Sequence, residues 1–278
     1  MRYISLRGGQ KYYFDKMKIM GIINATPDSF YEKSRVGSVE SAIERAKRMI
    51  EEGADILDIG GESTRPGCDP VTDEEEIERV VPVIKEIRSI NKDILISIDT
   101  YRAKTAEEAI KAGADIVNDI SAMTFDKDMA DVVKKYDVPV ILMHIKGTPK
   151  NMQKDPHYDD VLKEIMDFFK ERIEYGLSRG ISMDKFILDP GIGFGKNFHH
   201  NMELIRRVGD FHELNLPILL AVSRKSSIGA ALGNLPTEER LEGTIAVTCY
   251  AAARDVEMIR VHDVKENLRA ARMIEVLK

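Results

Sequence analysis

The chain has 278 residues, 43% of them hydrophobic and 32% charged, with a formal net charge of −6. This composition supports a large buried core and excludes a disordered chain, and the negative balance excludes a nucleic-acid binder that relies on a basic surface. No stretch reaches the roughly 18 apolar residues of a membrane span, and residues 1–15 lack the apolar core of a signal peptide, so a cytoplasmic protein with no membrane or nucleic-acid partner is expected.

In chain order, Tyr3-Ile4 and residues 12–14 around Gly8-Gly9 predict a β-hairpin, placed as a plug over one mouth of the fold. Eight short apolar runs follow, at residues 17–24, 55–60, 94–99, 115–119, 140–144, 186–189, 218–223 and 258–262. Several are apolar throughout rather than alternating, which suits parallel strands covered on both faces. Amphipathic segments at 38–52, 72–90, 104–112, 127–136, 158–179, 201–214, 237–254 and 264–276 predict the intervening helices. Eight β-then-α units predict a single (β/α)8 barrel, a TIM barrel, over residues 1–278. An open doubly wound sheet uses the same alternation, but no G-x-G-x-x-G loop follows the first strand. Cys68 and Cys249 are far apart and form no metal-ligand spacing, which fits a reducing compartment.

Polar residues gather where the strands end: Asn24, Asp58, Asp99, Asn118, Asp119, His144, Asp189, Lys225, Arg260 and His262. A single Asp after a strand is commonly a turn former, but such residues on almost every strand point to a site on the C-terminal rim of a barrel. Arg260 and His262 flank Val261, so strand alternation turns both to one face, as an anion site would require. An Arg260 pair with Asp58 or Asp263 is the structural alternative. His199 and His200 are adjacent, point apart on a helix and are expected at the surface.

Six segments, GIINATPDSF (21–30), DIGGESTRPG (58–67), MHIKGTPKNMQ (143–153), LDPGIGFGKN (188–197), SRKS (223–226) and IRVHDV (259–264), resemble the dihydropteroate synthases, pterin-binding barrels of folate biosynthesis and the target class of the sulfonamides. The resemblance runs in order from about Met20 to the C-terminus. It implies a transferase that joins 6-hydroxymethyl-7,8-dihydropterin pyrophosphate to p-aminobenzoate by an SN1-like displacement. It further implies a pterin pocket of Asp99, Asn118, Ile120, Met143, Asp189 and Lys225, and a pyrophosphate end of Asn24, Arg260 and His262. Asn24 corresponds to the Mg2+ contact, and Phe30, Thr64, Arg65, Pro66, Phe194, Lys225 and Ser226 to the p-aminobenzoate pocket. Asp99, Asp189, Lys225, Arg260 and His262 are the implied catalytic set, and a homodimer is implied as well. An apolar stripe of Ile245, Val247, Tyr250 and Ala251 fits either a dimer contact or barrel packing. One departure stands out: where the family continues Ser-Phe with a small residue, Asp and Gly-Gly, this chain has Tyr31-Glu32-Lys33-Ser34. Glu32 keeps the charge on a longer arm, and the lost glycines stiffen the loop. Two rivals share part of the pattern, a methyltetrahydrofolate methyltransferase and a silent pterin-binding subunit. The first has no use for Thr64-Arg65-Pro66, and intact Asn24, Lys225, Arg260 and His262 oppose the second.

Overall fold

The structure, a computed structural model, describes residues 1–26, 35–65 and 67–278, with no account of the side chains of residues 35–38. Two antiparallel strands open it, β1 (Tyr3–Ser5) and β2 (Lys11–Tyr13), with Tyr3 opposite Tyr13. The chain reverses between them at Gly8 and Gly9, whose φ of 77° and 80° lie in the left-handed region that glycine adopts without strain.

Eight parallel strands form the main sheet: β3 (Lys18–Asn24), β4 (Ile56–Gly60), β5 (Leu95–Asp99), β6 (Ile116–Asp119), β7 (Val140–Met143), β8 (Phe186–Asp189), β9 (Leu219–Ala221) and β10 (Met258–Val261). Their order is β8-β7-β6-β5-β4-β3-β10-β9, and a parallel bridge between Leu188 and Ile218 joins the two outer strands, closing the barrel. Helices follow the strands: α1 (Arg35–Glu51), α2 (Asp73–Ile90), α3 (Ala103–Ala112), α4 (Met129–Tyr136), α5 (Val161–Ser178), α6 (Phe198–Arg206), α7 (Ser226–Ala231), α8 (Leu241–Ala252) and α9 (Val264–Leu277).

Strand alternation sorts the core into two parts. Ile19, Ile23, Leu57, Ile59, Ile96, Ile98, Leu142, Leu188, Leu220 and Ile259 face outward into the layer covered by the helices. Met20, Ile56, Leu95, Ile116, Ile141, Ile187, Leu219 and Met258, one from each strand, fill the barrel's lower interior together with Ile4 and Phe14 of the hairpin region. The hairpin therefore plugs the N-terminal mouth, as its sequence predicts, and buries apolar side chains that would otherwise meet water.

Two of the expected helical stretches are divided by a 3-10 turn, and one helix is additional. The stretch 201–214 is α6 followed by a 3-10 turn, Val208–Leu214, because Asn197 caps the helix three residues early through a capping box with His200. The stretch 237–254 becomes a 3-10 turn, Thr237–Glu239, and then α8. Helix α7 follows Lys225 directly and is too short to show helical periodicity. Val247 and Tyr250 of the apolar stripe pack on the outer core, and Ala251 is fully buried.

Candidate active site

Above the apolar floor, the strand register stacks polar side chains inside the barrel. Asp58 lies beside Ile22 and Ser97, Asn118 beside Asp99 and Ile141, Met143 beside Asp189, and Arg260 beside Ala221. The sequence makes this arrangement by keeping period-two alternation while changing the inward residue from apolar to polar as each strand approaches its C-terminal end.

Arg260 is the hub. Its Nε donates to Asp58 Oδ2 at 2.5 Å and its Nη2 to Asp99 Oδ2 at 2.6 Å. Asn118 Nδ2 donates to the same Asp58 oxygen at 3.1 Å, so one carboxylate orients an arginine and an amide together. Asp58 is fully buried, and its Oδ1 has no partner among the described residues. Burial pushes Asp99 up to about 7 against the pull of Arg260, with Asp58 the strongest of the like charges that raise it further. Asp58 and Asp99 in turn hold the Arg260 guanidinium charged despite its burial.

Asp189 and Lys225 stand beside this hub. Asp189 accepts the amide N–H of Gly191 at 2.8 Å, and burial raises its pKa while Lys225 and then Arg260 oppose the rise. Lys225 donates to the Ile192 carbonyl and lies 4.8 Å from the centre of the Phe194 ring. Burial lowers the Lys225 ammonium to about 8, and Asp189 limits the drop. The loop between them follows the chain closely: a side chain at Gly191 or Gly195 would meet the carbonyl oxygens of His144 and Lys146 at 2.0 and 2.4 Å, and both have positive φ. Lys196, buried behind this loop, donates to the carbonyls of Phe194 and His144 at 2.9 and 3.2 Å and lies 2.9 Å from His144 Nδ1.

His262 takes its orientation from Ser223, whose Oγ accepts the His262 amide N–H at 3.1 Å and lies 2.9 Å from Nδ1. Donation of the Ser223 hydroxyl hydrogen to Nδ1 would leave the ring proton on Nε2. Burial, then Arg45 and Arg260, holds His262 down at about 4, so the ring is a neutral donor near pH 7. Arg224, between Ser223 and Lys225, is occupied elsewhere in a two-pronged pair with Asp263 at 2.8 and 2.9 Å.

Asn24 is exposed at the end of β3, level with Gly60, which has no side chain to cover it. Among the described residues no group of three His, Cys, Asp or Glu could hold a metal ion. The donor offered is a single amide oxygen at the mouth, which fits Mg2+, an ion that keeps several waters and shares substrate phosphates. Arg65 and Ser226 are exposed, and Thr64, Phe194 and Lys225 are partly so, around the same mouth. Ile120 and Met143 are buried apolar neighbours of the polar tier. Phe30, Glu32 and Pro66 lie outside the described residues.

Two strand-end residues do not join this group. Asp119 faces away from the barrel interior and accepts hydrogen bonds from Ser121 N and Oγ and Met123 N at 2.7 to 2.8 Å, organising the turn after β6. His144 packs edge-on against Phe168 at 4.9 Å and contacts Lys196 on the outer side of β7. In both, the odd register relative to Asn118 and Met143 turns the side chain outward. His199 is exposed, whereas His200 is half-buried against Tyr158 at 4.8 Å and closes the α6 capping box.

Sequence reading missed the roles of Ser223, Lys196 and a buried network of Glu62, Glu76 and Arg102. For Ser223 and Lys196 the signal existed in the motifs SRK and GFGK, yet which polar residue faces inward depends on partners far away in the chain. The network carried no motif at all.

The family described as pterin binding enzyme matches residues 20–262. The chain is 48% identical over 264 residues to a dihydropteroate synthase of Clostridium beijerinckii, covering 95% of both proteins. Its fold is similar to that of a Yersinia pestis dihydropteroate synthase in a sulfonamide drug complex, with TM-score 0.92 and 40% identity over 99% of this chain and 98% of that one. It is also similar to a Xanthomonas albilineans dihydropteroate synthase in complex with 7,8-dihydropteroate, with TM-score 0.88 and 36% identity over 99% and 98% of the two chains.

Proposed function

Because the chain belongs to the dihydropteroate synthases, a family of pterin-binding transferases, we propose a division of labour among its residues for joining 6-hydroxymethyl-7,8-dihydropterin pyrophosphate to p-aminobenzoate. The register supports this reading: Asn118, Asp189 and Arg260 share the polar tier above the apolar floor, with Asp99 and His262 at the strand ends.

Asp99, Asn118 and Asp189 pair with the donor and acceptor edge of the pterin, and Ile120 and Met143 line its faces. Lys225 donates to the ring and, over Phe194, borders the second pocket. Asn24, Arg260 and His262 receive the pyrophosphate. His262 serves there as a neutral donor, and Arg260 is held in place by Asp58 and Asp99. Asn24 would hold Mg2+ at the mouth, where the ion would supply charge neutralisation on the leaving group.

The C–O bond between the pterin methylene and pyrophosphate breaks with its electron pair leaving on pyrophosphate. Asp99 and Asp189 stabilise the positive charge that spreads into the pterin, because fixed carboxylates in a dry site act strongly on developing charge. The neutral amine of p-aminobenzoate then bonds to the methylene and loses a proton, so no protein nucleophile is required. Phe30, Thr64, Arg65, Pro66, Phe194, Lys225 and Ser226 receive p-aminobenzoate, where sulfonamides, as its mimics, compete. The working form is a cytoplasmic homodimer of one domain spanning 1–278. Formation of 7,8-dihydropteroate and pyrophosphate from the two substrates together supports the reading; no dihydropteroate formed from them with Mg2+ present contradicts it.

A further inference from the structure

Residues 62–65 and 67–71 lie between β4 and α2, and the two ends of this connection are tied by the same side chains. Glu62 Oε2 accepts the Val71 amide N–H at 3.0 Å. Arg102 Nη2 donates to that oxygen and to the Val71 carbonyl, both at 2.7 Å. The other guanidinium nitrogens reach the start of α2, Nη1 to Glu76 Oε2 at 3.1 Å and Nε 3.2 Å from Asp73 Oδ1. Tyr101 completes the network by donating its hydroxyl to Glu62 Oε1 at 2.8 Å.

These are not solvated surface pairs. The side chains of Glu62, Arg102 and Glu76 are 6%, 11% and 1% exposed, so removing one charge leaves another uncompensated. The outer part is held by neutral or exposed contacts instead: Gly67 N to the Pro149 carbonyl, Cys68 N to the Arg65 carbonyl and Cys68 Sγ to Ser63 Oγ, each at 3.2 Å, and an exposed Lys150–Asp69 pair. A loop with a fixed neck and a lightly held tip keeps its direction while its tip adapts to a ligand. Thr64 and Arg65 belong to that tip, and Arg102 follows Asp99 by three residues on the connection from β5 to α3.

We propose that Glu62 and Arg102 are positioning residues that aim Thr64 and Arg65 at p-aminobenzoate and tie that pocket to the strand end carrying Asp99. This rests on the division of labour given above. The test measures KM for each substrate in Arg102→Met, Arg102→Lys and Glu62→Gln, together with calorimetric binding of the pterin pyrophosphate. Arg102→Met should raise KM for p-aminobenzoate about tenfold or more, with pterin pyrophosphate binding within about twofold of the parent chain. Arg102→Lys, which keeps the charge but loses the fork, should recover part of the loss, and Glu62→Gln should move KM the same way by less. If Arg102→Met fails to fold, the two milder variants decide. Unchanged KM for p-aminobenzoate in both, or equal weakening of both substrates, would overturn the proposal. If the parent chain itself bound no pterin pyrophosphate, the site assignment would fall and this inference with it.

Discussion

Asp58 on β4 and Arg260 on β10 meet across the intervening β3, Oδ2 to Nε at 2.5 Å, and Asp58 is wholly buried. The same oxygen also takes the Asn118 amide, so this carboxylate sets two groups of the polar tier at once. Removing it leaves a largely buried guanidinium, its side chain 18% exposed, held by Asp99 alone among the carboxylates that bond it.

Asp58→Ala should therefore lower folding stability by about 3–5 kcal/mol, the usual cost of breaking a buried ion pair from one side. Asp58→Asn should lose less, because the amide oxygen still accepts from Arg260 or Asn118. Urea unfolding of the three proteins measures this, and a stability for Asp58→Ala within about 1 kcal/mol of the parent would mean the pair contributes little.

Arg260 and His262 should separate under mutation. His262→Ala should weaken binding of the pterin pyrophosphate about tenfold or more while leaving the bare hydroxymethyl pterin unaffected, since a hydrogen bond from a neutral donor to a charged phosphate contributes about 1.5–3 kcal/mol. Arg260→Ala should weaken both ligands, because Asp58 and Asp99 lose their partner and the pterin pocket shifts with them. Calorimetric titration with each ligand distinguishes the two residues.

The pH profile follows from the same groups. The proposed pterin pairing uses an ionised Asp99, and its carboxyl, raised by burial to about 7, gains a proton below that value, so kcat/KM for the pterin substrate should fall as pH drops below 7. Lys225, lowered by burial to about 8, loses its proton above that value, which gives the alkaline fall. His262 at about 4 stays neutral across this range and contributes neither limb. A bell with limbs near 7 and 8 is expected, and Lys225→Arg should move its alkaline limb upward.

Much of this was legible in the chain. Short apolar runs ending in Asp99, Asn118, Asp189 and Arg260 announce parallel strands with a polar rim, because burial on both faces demands continuous apolarity until the strand reaches the mouth. Facing was harder. Asp119 and His144 also end apolar runs, but one residue of register separates inward from outward, and register is set by neighbouring strands rather than by the run itself. The pairing of Asp58 with Arg260, 202 positions apart, was open beside Asp263 until the barrel closed, and Arg224 is the arginine that took Asp263. The tie of Arg102 to Glu62 and Val71 left no trace in periodicity, since it joins two loop ends and a strand exit.

The most direct measurement is the formation of 7,8-dihydropteroate from pterin pyrophosphate and p-aminobenzoate with Mg2+, comparing the parent chain with Asp189→Asn. Asp189 is buried at the end of β8 and fixed by the Gly191 amide, so the amide variant should keep the fold, as checked by unchanged far-ultraviolet circular dichroism. Losing a carboxylate aimed at developing positive charge should lower kcat/KM by about 2–4 kcal/mol in transition-state terms, or roughly 30- to 1,000-fold. Turnover by Asp189→Asn equal to that of the parent chain would contradict the assignment of the barrel mouth as the pterin site.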